Sequence, residues 1–399
     1  MSNEVAGQVE PGFEGVAKAF QANFDEHGEV GAAFSLHVGG RKVVDVWGGS
    51  ADPTRGVPYG EDTLQLVFSA TKGATAACAS LLAQRGLLDV DAPVVTYWPE
   101  FAAAGKEAIP VRWLLCHKAG LPTIDAHLTV AEAMAWDPVI RALEVQTPFW
   151  EPGSANGYHA ITYGFLVGEV IRRIDGRSPG RFFAEEIAGP LGLEFWIGLP
   201  AAEEGRVAPI IASPPPTDPE VLAVMAKYAG PDSLLGRALS LNGALALPAA
   251  YNTPEVRAGE LPAANGVTTA RSLSRMYAGL IGTVEGGPPA PLLTSAQIDA
   301  ARTTQTSGFD QVISFMPGVE RPTSFGLGFM TSSEFSPFGG AGSFGHTGAG
   351  GSVGFADPEN SLGFGYVMNQ MMQNPTGDPR TKGLIQASYD AIGAPVAFL

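Results

Sequence analysis

Positive charge and sulfur are both scarce in this chain. Across 399 residues, 40 Asp and Glu stand against 24 Lys and Arg, a formal net charge of −16. Such a surplus opposes binding to nucleic acid or to an anionic membrane surface, so neither is expected as a partner. Only two cysteines occur, Cys78 and Cys116, both in apolar, helix-like context. They read as reduced thiols of a cytoplasmic protein rather than as a disulfide framework. No apolar run approaches the length of a membrane span. Met1 to Glu10 is polar and lacks the basic start and apolar core of a secretory leader. The six histidines form no i, i+4 pair and no His-Glu-x-x-His run, so neither a metal nor another cofactor is expected. What is present is an ordinary 45% hydrophobic content, in a chain long enough for two lobes and a sizeable core.

Lysine is rare enough to be examined one residue at a time. Of seven, only Lys72 has a serine three positions earlier, in Phe68-Ser69-Ala70-Thr71-Lys72-Gly73. The small, apolar stretch that follows, Ala74 to Leu82, reads as a buried helix. Positions i and i+3 lie one above the other on a helix, so the Ser69 hydroxyl and the Lys72 amine are expected to be neighbours. A serine beside an amine is the first requirement of nucleophilic acyl transfer.

Two further segments bear chemistry. Tyr158 stands five residues after the Pro152-Gly153 turn and opens the apolar run Ile161 to Ile171, so its phenol can point into a cleft. Gly345-His346-Thr347-Gly348-Ala349-Gly350-Gly351 offers an imidazole followed by a glycine-rich strand edge, where backbone can approach a ligand closely.

These elements, in this order and separated by about 90 and 190 residues, resemble the serine β-lactamase and penicillin-binding-protein superfamily. The nearest likeness is to class C β-lactamases and family VIII carboxylesterases. It runs from about Gly31 to Gln370 and includes Gly86-Leu87-Leu88-Asp89, Leu114 to Pro122, Pro190-Leu191-Gly192-Leu193 and Pro262-Ala263-Ala264-Asn265-Gly266. The resemblance implies that Ser69 is the nucleophile, Lys72 its amine partner and Tyr158 the phenol that takes the serine proton. It also sets His346-Thr347-Gly348 where the third motif binds substrate. Two positions depart from the pattern. Tyr158-His159-Ala160 stands where class C enzymes have Tyr-x-Asn, and His346 replaces the lysine of Lys-Thr-Gly. An imidazole is a weaker anchor for a substrate carboxylate than lysine at neutral pH. Both changes point to neutral acyl substrates such as esters. His159, next to Tyr158, is a candidate to line the cleft, with a structural or rim role as the plainer alternative.

A serine needs a base within hydrogen-bond reach. Lys72, if buried away from carboxylates, has its pKa lowered, and as a cation it favours the Tyr158 phenolate. Either residue can then accept the Ser69 proton. The oxyanion needs two donors, most simply the backbone N–H groups of Ser69 and Ala349, aided by the helix dipole at Ser69. Competing motifs carry less. Gly350-Gly351-Ser352-Val353-Gly354 fits a nucleophile elbow, but every histidine precedes Ser352 and a strand-like run follows it. Ser154-Ala155-Asn156 imitates a Ser-x-Asn motif but lies too close to the Pro-Gly turn. Gly340 to Gly345 fits Gly-x-Gly-x-x-Gly without the strand and helix that motif requires.

Periodicity gives a helix over Phe13 to His27, a hairpin of Gly31 to Val38 and Lys42 to Trp47 about Gly39-Gly40, mostly helix from Thr63 to Ile281, and a return to strands at Phe325 to Met330, Ser343 to His346, Gly351 to Ala356 and Leu362 to Met368. A helix over Thr381 to Ile392 closes the chain. The expected fold is α+β and β-lactamase-like, with an antiparallel sheet flanked by N- and C-terminal helices and a mainly helical lobe inserted. Residues 1–62 and 322–399 form the sheet lobe and 63–321 the helical lobe, with the active site in the cleft between them. The expected function is a serine hydrolase cleaving small or short-chain acyl esters through a Ser69 acyl-enzyme. An amide-directed relative (D-aminopeptidase, peptidase or weak β-lactamase) and a non-catalytic binding protein remain alternatives, and a homo-oligomer stays open.

Overall fold

Strands from both ends of the chain join in one sheet. The computed structural model describes residues 5–314, 322–334, 336–372 and 378–398. Residues 1–4 of the polar N-terminal run, and residue 321 at the expected second lobe boundary, lie outside the described residues. The sheet is antiparallel and runs in the order Val5–Val9, Arg41–Asp52, Gly31–Val38, Leu362–Met368, Val353–Asp357, Phe344–Thr347, Met330–Thr331, Thr323–Phe325 and Thr306–Gly308, with Val57–Pro58 paired on Arg41–Asp52. The Gly39-Gly40 turn has φ of +56° and +78°, the two positive values that a tight hairpin requires. The expected Phe325 to Met330 strand is instead two strands. The chain folds back at Gly326 to Gly328, so that Phe325 pairs with Met330. Gly328 has φ +88°, and a Cβ there would lie 2.7 Å from the Tyr163 hydroxyl.

Each face of the sheet is covered differently. The terminal helices Glu14–Glu26 and Pro379–Ile392 pack together on one face, burying Phe20, Phe34, Phe355, Phe364 and Tyr389 in one cluster. On the other face lies the helix Ala270–Ile281, which comes from the middle of the chain. Glycines on the strands let it approach: a Cβ on Gly363 would sit 2.4 Å from the Ser274 carbonyl, and one on Gly354 2.6 Å from the Tyr277 ring. Together with the strand Thr306–Gly308, this helix draws residues from within 63–321 into the layers of the sheet.

The helical part is centred on Thr71–Gln84, buried from Thr71 to Leu82 and packed against Thr162–Asp175. Beside it lies a small sheet in the order Phe195–Trp196, Val267–Thr268, Leu64–Leu66 and Val207–Ala208. The strand Leu64–Leu66 feeds the chain towards Ser69, and its partner Val267–Thr268 follows the turn that contains Ala263. Pairing these strands therefore brings residues 263 and 69 together. Among the described residues no helix is long and apolar enough to cross a membrane.

Candidate active site

Ser69 lies in a 3₁₀ turn, Phe68–Ala70, that leads into the buried helix Thr71–Gln84. The residue before it, Phe68, has φ +46°, a left-handed conformation that costs energy in a non-glycine residue and recurs at functional sites. Tertiary packing holds it there, with the buried Phe68 ring edge-on to Tyr251 at 5.1 Å. The side chain of Ser69 is consequently presented at the helix entrance, half-buried.

Lys72 follows one turn later and is fully buried. Its Nζ lies 3.1 Å from Ser69 Oγ and donates to the carbonyls of Ala160 at 2.7 Å and Ala263 at 3.0 Å. The Ala263 turn is shaped by Asn265, whose side chain accepts from the Leu261 N–H and donates to the Val256 carbonyl. Burial alone pulls the Lys72 amine well below the ordinary lysine range. A neutral amine has two N–H bonds and one lone pair. In that form both N–H groups go to the carbonyls and the lone pair is free to accept from the Ser69 hydroxyl.

Tyr158 comes from a distant loop, and the Ser69 hydroxyl is near enough to hold the burial-raised pKa of its phenol down somewhat. Its ring lies under Lys72, with Nζ 4.7 Å from the ring centre. Burial raises the phenol above its ordinary value, and the Asp310 carboxylate adds to the effect. The phenolate expected beside a cationic Lys72 is thus not the form favoured here: burial disfavours both the phenolate and the ammonium. Asp310 also anchors the tyrosine. Fully buried, it accepts from the backbone N–H groups of Tyr158, Val312 and Ile313 at 2.9 to 3.0 Å, and from the Thr323 hydroxyl at 3.2 Å. Sequence reasoning missed Asp310, because no motif or spacing links it to a residue 152 positions away.

The third segment arrives on the strand Phe344–Thr347. Gly348 lies so close to the residues leading into the serine turn that a Cβ would be 2.2 Å from the Val67 carbonyl, and Ala349 is the next residue along. Among the described residues, neither the Ser69 nor the Ala349 N–H donates to a backbone carbonyl, so both remain available to an oxyanion. Thr347 is exposed and its hydroxyl reaches Met330 Sδ at 3.5 Å. His346 is only 1% exposed, so its ring does not stand open to substrate as the third motif had suggested. Its Nδ1 donates to the Thr347 carbonyl at 2.7 Å, Nε2 has no partner among the described residues, and burial lowers its pKa to about 3. The imidazole is neutral.

His159 corrects the sequence reading. It is fully buried, with Nε2 accepting from the Leu121 N–H at 2.9 Å and Nδ1 donating to the Gly157 carbonyl at 2.6 Å. Both nitrogens are committed to backbone, so the ring braces the tyrosine loop and offers nothing to substrate. A second brace, His117, accepts from the His159 N–H at 3.1 Å and packs 5.0 Å from the Tyr158 ring. Its segment, Leu114 to Pro122, was recognisable in the sequence, but its role was not. Ser154 is exposed and bonded to Glu151, and Ser352 is buried in a turn between two strands. Neither competes as nucleophile.

These buried histidines make the fold sensitive to acid. Burial lowers His37 and His346 to about 3, His159 to about 4, and His117 well below its ordinary value. Below about pH 6.5 the unfolded chain binds protons that the folded protein refuses, so stability drops as the pH is lowered, by up to about 1.4 kcal/mol per unit for each group. Urea unfolding at pH 7, 6 and 5 is expected to show a steepening loss across that range, and a flat profile would contradict it.

Comparison with known proteins agrees with this geometry. A family model described as Beta-lactamase matches residues 16–388. The protein named esterase/beta-lactamase LipL of Mycobacterium tuberculosis is 35% identical over 386 residues, covering 92% of this chain and 83% of that protein. Among solved structures, a family VIII carboxylesterase matches with TM-score 0.85 at 38% identity, covering 97% of this chain and 100% of the other. A penicillin-binding protein homolog from Caulobacter crescentus matches with TM-score 0.84 at 37% identity and the same coverage. With the fold, the order of the motifs and a match across nearly its whole length in agreement, the chain belongs to the β-lactamase family.

Proposed function

We propose that this protein is a serine hydrolase that cleaves small, neutral carboxylic esters through a Ser69 acyl-enzyme, with Lys72 as general base. The observation that carries the reading is the fully buried Lys72 Nζ, held by the carbonyls of Ala160 and Ala263 and 3.1 Å from Ser69 Oγ. Ser69 Oγ attacks the ester carbonyl while its proton passes to Lys72. The negative charge that forms on the carbonyl oxygen is received by the N–H groups of Ser69 and Ala349. Tyr158 gives its proton to the departing alkoxide as the ester C–O bond breaks, and Lys72 reprotonates the phenolate. Water then attacks the acyl-enzyme, its proton taken by the same base, and Ser69 leaves with a proton as the carboxylic acid is released.

Ester is preferred to lactam because His346 is buried and neutral, leaving no cation in the third motif to hold a substrate carboxylate. The similarity to a solved family VIII carboxylesterase supports the same choice. Two unpaired, buried thiols, Cys78 and Cys116, support a cytoplasmic enzyme. The test compares p-nitrophenyl butyrate, nitrocefin and a D-alanyl amide under one set of conditions. The butyrate is expected to have the highest kcat/KM, by about 100-fold or more, the effect of losing a well-placed polar anchor. Dominant turnover of nitrocefin or of the amide would overturn the ester assignment.

A further inference from the structure

The glycine turn that follows the third motif is held from behind by a buried arginine. Gly351 N–H donates to the Gly348 carbonyl at 3.3 Å, and Gly350 at the third position has φ +88°, the pattern of a type II turn. In such a turn the second residue, Ala349, directs its N–H out of the turn. The Gly350 carbonyl points the other way. It accepts from Arg380 Nη2 at 2.6 Å and from the Met372 N–H at 3.0 Å.

Arg380 is fully buried, and its guanidinium is itself aimed by two carboxylates. Nη2 also donates to Asp378 at 2.7 Å, and Nη1 donates to Glu29 at 3.1 Å and to the Gln370 carbonyl at 3.0 Å. Tyr366 donates its hydroxyl to the same Glu29 carboxylate. Gly351 leaves no slack, since a Cβ there would lie 2.5 Å from Arg380 Nη2 and 2.6 Å from Asp378 Oδ2. A charged donor on a carbonyl is among the stronger and more directional hydrogen bonds, and the planar fork of arginine fixes direction where lysine would not.

We infer that Arg380, oriented by Asp378 and Glu29, is a positioning residue for the oxyanion hole: by gripping the Gly350 carbonyl it sets the direction of the Ala349 N–H. The inference rests on the hydrolase reading above. The terminal helix Pro379–Ile392 and Glu29, just before the strand Gly31–Val38, thereby act on the chemistry without touching substrate.

The test uses the full-length protein, Arg380→Lys and Asp378→Asn, with p-nitrophenyl butyrate as substrate and a phenylboronic acid as tetrahedral analogue. Arg380→Lys is expected to lower kcat by about 10- to 100-fold with KM little changed, as for a misplacement of about 1 Å. Boronate affinity should fall by the same factor, because the boronate oxygen occupies the oxyanion position. Asp378→Asn keeps the Glu29 pair and should show the same split at about 3- to 10-fold. It decides the matter if Arg380→Lys does not fold, as judged by thermal unfolding. Wild-type kcat and boronate affinity in a folded variant would overturn the inference. So would a loss of turnover matched only by a smaller fraction of fluorophosphonate-labelled sites. If the wild-type protein hydrolyses no ester, the hydrolase reading falls and takes this one with it; turnover by wild type with unaltered variants removes the inference alone.

Discussion

Replacing Ser69 by alanine is expected to lower kcat for p-nitrophenyl butyrate by at least about 10⁴-fold, the scale of losing a nucleophile from a catalytic unit. Among the described residues, neither of the two serines in competing motifs is placed to substitute. Ser352 is buried with its hydroxyl unpartnered among the described residues, and Ser154 is exposed and turned towards Glu151. Water in the place of the serine oxygen would meet the same base and the same N–H donors, but without a covalent intermediate. A fluorophosphonate should label the wild-type protein at residue 69 and leave the variant unlabelled. Turnover retained by the alanine variant would remove Ser69 from the chemistry, and with it the acyl-enzyme.

Lys72→Met carries the second large effect, a fall in kcat of about 10² to 10⁴, the usual contribution of a positioned base. The pH dependence tells a base from a spacer. Burial lowers the Lys72 amine in the folded protein, and only the neutral form accepts a proton, so kcat/KM should rise with pH through that lowered value and then level off. Stability moves in the same direction. Between the lowered folded value and the ordinary lysine value of about 10.4, the unfolded chain binds a proton that the folded protein does not, so stability rises with pH. The methionine variant has no such group. The difference in unfolding free energy between wild type and Lys72→Met should therefore shift towards wild type from pH 7 to pH 10, measured by denaturant titration. A constant difference would mean that Lys72 is protonated in the fold, and the base assignment would fail.

The two variants separate roles that one measurement would merge. Loss of Ser69 abolishes labelling, whereas loss of Lys72 slows labelling while leaving the nucleophile in place.

Local chemistry was legible in the chain. The Ser69 to Lys72 spacing follows from helix geometry alone, and the period-two runs at Gly31 to Val38 and Leu362 to Met368 matched the strands found there. The helix Glu14–Glu26 likewise lies within the expected range. Where local pattern and tertiary demand diverged, the pattern failed. Phe325 to Met330 has the apolar content of one strand but folds back on itself, because Gly328 must pass the Tyr163 hydroxyl. His159, a candidate for the cleft with a structural role as the plainer reading, takes the structural one, because the Leu121 N–H and the Gly157 carbonyl claim both of its nitrogens.

By itself, then, the amino-acid order singled out the candidate reactive side chains and the elements that carry them, because both follow from short-range spacing and from the family pattern of the motifs. Tertiary structure alone decided the electrical state of the site. Whether Lys72 is an amine or an ammonium, Tyr158 a phenol or a phenolate, and His346 an anchor or a neutral ring depends on burial and on the carbonyls of Ala160 and Ala263 and the carboxylate of Asp310. Those partners lie 88, 191 and 152 positions from the residues they act on. Desolvation and hydrogen-bond direction arise only when distant segments pack, so no window of sequence contains them.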